Sequence, residues 1–291
     1  MAVLLVLLGV AGSTLWGGRL AFETFGWHFL TTAQWDAVNG QFGALVPIWG
    51  TLMTSLIAIL IAVPVSFGIA LFLTEVAPAW LRTPVASAIE LLAGIPSIIY
   101  GMWGLFVFAP FLADHVDPWI NGRLGTLPWL GALFRGPPLG IGMLTAGIVL
   151  AIMIIPFISS VMREVFLTVP ARLKESARAL GSTTWEVVWD IVLPYTRSAV
   201  IGGVFLGLGR ALGETMAVTF VLGNAHQFSS SLLMPSSSIA SVIANEFTEA
   251  YTDLHRSALI AMGFLLFLVT FVVLAIAKLL LWRLARREGN A

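Results

Sequence analysis

Apolar residues run along this chain in long blocks, separated by shorter stretches where polar and charged residues collect. Six blocks stand out: Met1–Gly18, Gly50–Thr74, Leu91–Leu112 (preceded by Glu90), Leu139–Met162, Ser198–Leu222 and Ser257–Ala277. A hydrocarbon core about 30 Å thick takes roughly 20 apolar helical residues to cross. In lipid the backbone must satisfy its own hydrogen bonds, so each block predicts a helix. The blocks are too long and too continuous for the strands of a barrel. The expected fold class is therefore an all-α integral membrane protein with six transmembrane helices, and only the fifth block carries charge in its middle.

Composition sharpens this picture. Of the 291 residues, 58% are hydrophobic and 10% charged, against about 25% charged in an ordinary soluble domain. The net charge is zero and gives no sign of a nucleic-acid partner. The absence of cysteine removes disulfides and thiolate metal sites. The 11 tryptophans suit a chain whose indole rings sit at the lipid–water interface. Arg82, Arg163, Arg172, Lys174, Arg178, Arg197 and the C-terminal Lys278, Arg283, Arg286 and Arg287 fall on one side of the expected spans. The opposite loops hold Arg19, Arg123, Arg135 and Arg256. By the positive-inside rule the first side is cytoplasmic and both termini are inside. Met1–Gly18 lacks the basic n-region of a signal peptide, so it is expected to be a true first helix.

One cytoplasmic segment is unlike the rest. Thr168–Arg197 reads as two short helices with a turn between them. Thr168 is placed to cap the first, with Pro170 near its start, and Gly181 to end it in a left-handed conformation. Thr183 and Glu186 have capping-box spacing for the second, and Pro194 is expected to stop that helix before the next span. With Arg172, Lys174, Glu175 and Arg178 the first helix is too polar for lipid. It belongs in water, on headgroups or against another protein. Glu175, Ala177, Gly181, Ile191, Leu193 and Pro194 fit the pattern E-x-A-x-x-x-G, nine residues, then I-x-L-P. This resembles the EAA loop of ABC importer permeases, with Ser176 where many members have alanine. The resemblance implies that these residues couple the chain to an ATPase cleft.

Arg210 and Glu214 are the second feature. A charge at the bilayer centre costs about 2.5–3.5 kcal/mol on insertion scales and marks a functional site by default. On a continuous helix Gly203, Gly207, Arg210, Glu214 and Ala217 share a face, whose small residues let another helix approach. A guanidinium suits an oxyanion. The pair could line a translocation path or merely neutralise each other. The third block repeats the design with Glu90, Gly94, Ser97, Gly101 and Gly104 around Pro96, a stripe equally suited to a path or to tight packing.

Other chemistry is not visible. Neither lysine, Lys174 or Lys278, stands in a Walker-type phosphate loop, so ATP, if used, is bound by another subunit. The histidines His28, His115, His226 and His255 are scattered without metal-ligand spacing, and no G-x-S-x-G elbow exists.

The local sequences LIAVPVSFGIALFLTE (60–75), IELLAGIPSIIYGMWGLFVFAP (89–110), GLGRALGETMAVTFVLGN (207–224) and ANEF (244–247) resemble the PstC-type permeases of bacterial phosphate ABC transporters. The similarity runs from about Gly43 to Ala277; the N-terminus departs from it by beginning directly in apolar residues. It implies a type I ABC transmembrane domain over 46–282, preceded by a first helix and periplasmic segment (1–45) and followed by a basic cytoplasmic tail (283–291). It implies phosphate as the substrate, a PstA-like second permease forming a heterodimer, an ATPase dimer using ATP and Mg, and a periplasmic phosphate-binding protein. No cofactor is expected on this chain, and its location is the inner membrane. Arg210 and Glu214 fall within the family's charged fifth-helix motif; with Glu90 and Ser97 they form the expected substrate pathway. A permease for sulfate, molybdate or a phosphonate, a proton-coupled carrier using Glu214 or Glu90, and a membrane enzyme are the competing readings. The EAA-like loop counts against the carrier, and the missing catalytic constellation against the enzyme.

Overall fold

A computed structural model describes residues 2–128 and 131–288, with side chains as far as Leu279. Among the described residues the regular structure is helical, with no strand beyond isolated bridges. In chain order the helices are α1 (Ala2–Gly17), α2 (Arg19–Phe25), α3 (His28–Thr31), α4 (Leu45–Leu71), α5 (Ala79–Ala93), α6 (Ser97–Trp103), α7 (Ala109–Phe111), α8 (Asp117–Arg123), α9 (Met143–Leu167), α10 (Ala171–Ala179), α11 (Thr184–Val187), α12 (Leu193–Leu212), α13 (Met216–Val221), α14 (Ile239–Glu246) and α15 (Asp253–Glu288). Turns of π-helix at Phe72–Val76, Gly104–Phe108, Leu112–Val116 and Val188–Val192 extend or join several of these. Side chains of the expected basic tail, and residues 289–291 altogether, lie outside the described residues, as does Met1.

Among the described residues, five helical stretches are long and apolar enough to span a membrane: Leu45–Val76, Ser97–Arg123, Met143–Leu167, Thr184–Leu212 and Asp253–Leu279. The pair α1–α2, bent by 49°, makes a sixth if counted as one span. Two expected spans are redrawn. The third begins at Ser97, because Gly94, Ile95 and Pro96 interrupt the helix and leave Leu91–Ala93 on α5. The fifth ends at Leu212: residues 213–215 are non-helical, and α13 is a separate short helix.

The chain divides into two compact units. The first comprises 1–56, 97–150 and 212–291. Its core gathers Phe29, Phe42, Ile239, Leu259 and Met262 with small residues of α2 and α15. Close approach is made by glycine. A Cβ on Gly18 would stand 2.8 Å from Ala261 Cα, and one on Gly104 would stand 2.8 Å from Val221 Cγ1. Lipid offers no hydrophobic drive between helices, so such backbone contacts carry the packing. Ser257 links the α1–α2 bend to α15, donating to the Gly17 carbonyl at 2.9 Å and accepting from Ala21 N–H at 3.2 Å. Between α3 and α4, Asp36 and Gln41 pair through both backbone groups and close a tight turn whose tip, Val38, is 94% exposed.

The second unit comprises 57–96 and 151–211. Here α4 and α9 lie together: the Ser66 hydroxyl donates to the Ile155 carbonyl at 3.2 Å, and Phe67 meets Phe166 edge-on at 5.6 Å. Gly203 and Gly207 of α12 seat against Val161 and Ile158 of α9. The small-residue face read from the sequence is thus a packing face along its α12 part.

Candidate functional site

The 168–197 segment folds as two helices and a turn. Helix α10 ends in a Schellman arrangement: Gly181, at φ +94°, donates to the Arg178 carbonyl at 3.0 Å, and Ser182 donates to the Ala177 carbonyl at 3.1 Å. Those two bonds satisfy carbonyls that a helix end leaves open, and the left-handed residue between them favours glycine. Thr183 and Glu186 form a full capping box for α11. Two local expectations fail. The Thr168 hydroxyl donates backward to the Val165 carbonyl at 2.7 Å, and Pro170 occupies the N-cap of α10 without a side-chain bond. Pro194 stops nothing: α11 passes through a π turn into α12, and proline sits in the first turn of α12. The π turn positions that proline, because the last π bond runs from Leu193 N–H to the Val188 carbonyl and uses no proline donor.

Glu175 lies exposed on α10 with Arg172 and Leu173, while Ala177 is half-buried. Ile191 and Leu193 are half-buried and Pro194 is exposed. Trp185 and Trp189 pack edge-on at 5.5 Å, and Trp189 reaches Phe67 of α4 at 6.3 Å. The segment is therefore seated on its own unit along one side and open along the other. A carboxylate not singled out by the sequence reading underlies it. Glu75, in the π turn after α4, takes Lys174 Nζ at 2.5 Å and Arg178 Nη2 at 3.1 Å. Its signal in the sequence is an acid closing a long apolar run; Lys174 and Arg178 stand at i and i+4, the spacing of one helix face.

Arg210 and Glu214 do not share a helix. Arg210 falls in the last turn of α12, exposed on the chain, with its guanidinium 5.8 Å from the Phe157 ring centre. Glu214 precedes α13, and its Oε1 accepts from Ala217 N–H at 3.2 Å. A cation at a helix C-terminus and an anion at a helix N-terminus are both favoured by the backbone dipoles. The break at 213–215 thus supplies the stabilisation that the uninterrupted-helix reading sought in a pair. Glu90 sits on α5, exposed, 3.6 Å from Arg163. Ser97 opens α6, half-buried, on the other side of the Gly94–Pro96 interruption. Further along, Gly101 and Gly104 pack against Ala217, Phe220 and Val221, so this part of the stripe serves helix contact.

A further cluster of polar side chains forms around Glu246, at the end of α14. Glu246 is largely enclosed: His226 Nε2 lies 3.2 Å from Oε1, while His255 Nε2 and Trp35 Nε1 lie 3.0 and 2.8 Å from Oε2. Burial opposes its ionisation, but the bonds from His226, Trp35 and His255 outweigh burial and hold the carboxyl below its ordinary value. Histidines scattered in sequence therefore converge in space. No group of three or more acid, histidine or cysteine side chains suited to a metal occurs among the described residues.

Comparison with known proteins adds the lineage. Residues 65–286 match the family described as the binding-protein-dependent transport system inner membrane component. The phosphate transport system permease protein PstC of Xylella fastidiosa strain 9a5c is 67% identical over 99% of this chain and 89% of its own length. PstC of Pasteurella multocida is 59% identical over 99% and 90%, and PstC of Haemophilus influenzae 54% over 100% and 92%. Among solved structures, a bacterial ABC transporter involved in import of the acidic polysaccharide alginate superposes with a TM-score of 0.61 at 19% identity, over 92% of this chain and 88% of that one. An inward-facing MetNI methionine ABC transporter gives 0.56 at 17%, over 80% and 93%. These two structures bear on the fold alone: the helical arrangement is that of ABC importer permeases. The chain belongs to the family of binding-protein-dependent transport system inner membrane components, and the relatives it matches along nearly its whole length are PstC permeases.

Proposed function

We propose that this chain is the membrane permease subunit of an ATP-driven importer of inorganic phosphate in the bacterial inner membrane. The observation that carries it is the 67% identity to a phosphate transport permease over 99% of the chain. ATP and Mg then act on a separate ATPase dimer, which docks on the open side of the 168–197 segment through Glu175, Ala177, Gly181, Ile191, Leu193 and Pro194. A periplasmic phosphate-binding protein delivers the anion, and a PstA-like permease completes the passage. Both termini are cytoplasmic in this reading, in line with the distribution of arginine and lysine.

The broken helix between α12 and α13 supports the placement of the pathway. Non-helical backbone at membrane depth is tolerated only where protein covers it or water reaches it. Arg210 ends one helix there, exposed on this chain, and offers a bidentate donor for a phosphate oxyanion. Glu214 holds the next helix start, and Glu90 and Ser97 flank the second interruption. Reconstitution tests the reading. Proteoliposomes holding the complete transporter should take up radiolabelled phosphate with ATP inside and binding protein outside. Vesicles lacking the ATPase should take up none. Competition by sulfate or molybdate at equal concentration, or uptake driven by a proton gradient without ATP, would overturn the assignment.

A further inference from the structure

Glu75 is placed where a chemical function is hard to explain by solvation. Its side chain is 3% exposed, yet it is an acid in the π turn that closes the 32-residue apolar stretch Leu45–Val76. Lys174 and Arg178 reach it from α10, occupying one carboxylate oxygen each, with exposures of 13% and 43%. Lys174 also reaches the Phe166 carbonyl of α9 at 3.4 Å. The π turn at Phe72–Val76 carries the acid; such turns change which way the side chains within them face and recur at functional sites. Two cations from one face of α10 therefore close on a single buried anion of span Leu45–Val76, and a third contact ties the same lysine to the end of α9. No residue of α10 is buried. The charge cluster ties it to the span Leu45–Val76.

We propose that Glu75 is a positioning residue for transport: it is the anchor through which displacement of α10 is passed into the membrane spans. This rests on the functional reading above, in which α10 meets the ATPase. A helix held by packing could slide on its seat when pushed. A helix held by a doubly bonded, desolvated carboxylate moves with the span that bears it, because separating the charges exposes the acid to an apolar surround.

The test uses the complete transporter in proteoliposomes, with partner subunits freed of cysteine, and the absence of cysteine from this chain. Glu75→Cys/Lys174→Cys removes both partners of the most buried pair together and so strands no buried charge between them. Unlinked, this variant should assemble and hydrolyse ATP, with phosphate transported per ATP reduced at least fivefold. A short bis-methanethiosulfonate linker, joined to both introduced thiols with release of two methanesulfinates, should restore the ratio to within twofold of the parent. Dithiothreitol, which reduces the two new disulfides, should abolish it again. A merely structural role would not follow the linker reversibly in assembled complexes. Parental coupling in the unlinked variant, no rescue on linking, or failure to assemble in both states would overturn the proposal. A second measurement is independent of transport. In Glu75→Gln, amide exchange over Leu173–Arg178 should rise at least tenfold against the parent chain in nanodiscs, and unchanged exchange would refute the anchor. If the parental complex itself moves no phosphate, the functional reading falls, and the exchange result still decides the anchor.

Discussion

Gly181 offers a quantitative test of the 168–197 segment. Its φ of +94° and the bonds Gly181 N–H to Arg178 O and Ser182 N–H to Ala177 O define the end of α10. No heavy atom lies within 4 Å of a Cβ built at this position, so a side chain meets strain and not a clash. Any residue with a Cβ carries about 1–2 kcal/mol for left-handed backbone. The alternative is to relax to negative φ and forfeit both terminal bonds, each contributing about 0.5–1.5 kcal/mol. The strain thus shifts the balance from the native exit towards a relaxed one by roughly 1–2 kcal/mol, a factor of about 5 to 30 in population. Gly181→Asn should be mildest, since asparagine tolerates this region, Gly181→Ala intermediate and Gly181→Val most severe. The assay is co-purification of the ATPase together with phosphate transported per ATP hydrolysed, across the series. Expected is a graded loss in that order, with the valine variant inserted normally in the membrane but at one tenth of parental coupling or less. Equal coupling in Gly181→Val and the parent would refute the argument, since the backbone strain would then have no consequence for the surface it shapes.

Three further outcomes follow from other sites. Arg210→Gln and Arg210→Gln/Glu214→Gln should both assemble and lose at least tenfold in uptake; parental uptake by the double variant would show that these charges serve structure only. Gly207→Ala brings a Cβ to 2.5 Å from Ile158 Cδ1 and should cost about 1–3 kcal/mol by overpacking, read as a lower melting temperature that Ile158→Ala partly restores; Gly202→Ala, with nothing within 4 Å, is the silent control. Glu246 ionises below its ordinary value in the folded chain, so its contribution is present above a pH of about 4.3, the ordinary carboxyl value, and is lost as pH falls through the folded value. Thermal melts carried from pH 7 down to about 2.5 should show the parent losing this contribution below about 4.3, and Glu246→Gln should start lower, by about 2 kcal/mol for lost charged hydrogen bonds, with a shallower slope in that acid range.

The helices, the Gly181 turn and the Thr183–Glu186 capping box were legible because each depends on neighbours in sequence. Apolar length sets a span, a glycine accepts positive φ, and a threonine three residues before a glutamate closes a box. The interruptions were less legible. Gly213 sits in an otherwise helical pattern, and nothing local distinguishes it from Gly203 or Gly207, which stay helical because Val161 and Ile158 pack on them. A π turn adds a residue to the helical repeat, so wheels drawn through Phe72–Val76 or Val188–Val192 assign the wrong faces beyond them. Glu75 and Glu246 were hidden for a different reason. Their partners lie 99 and 103 residues away for Glu75, and 211 for the Trp35 contact of Glu246, distances over which no periodicity speaks.

The Asp36–Gln41 turn has a practical use. Its base is closed by reciprocal backbone bonds, and Asp36 Oδ1 also accepts from the Val38 and Asn39 amides, while the tip stands clear of the unit's core. Exposed tips of this kind accept inserted peptide with little effect on the body that carries them. A short epitope placed between Val38 and Asn39 leaves both chain ends and every introduced thiol free. Antibody binding to that epitope in intact spheroplasts and in inverted vesicles would then report which face of the membrane the turn occupies, without altering a single charge on which the orientation argument depends.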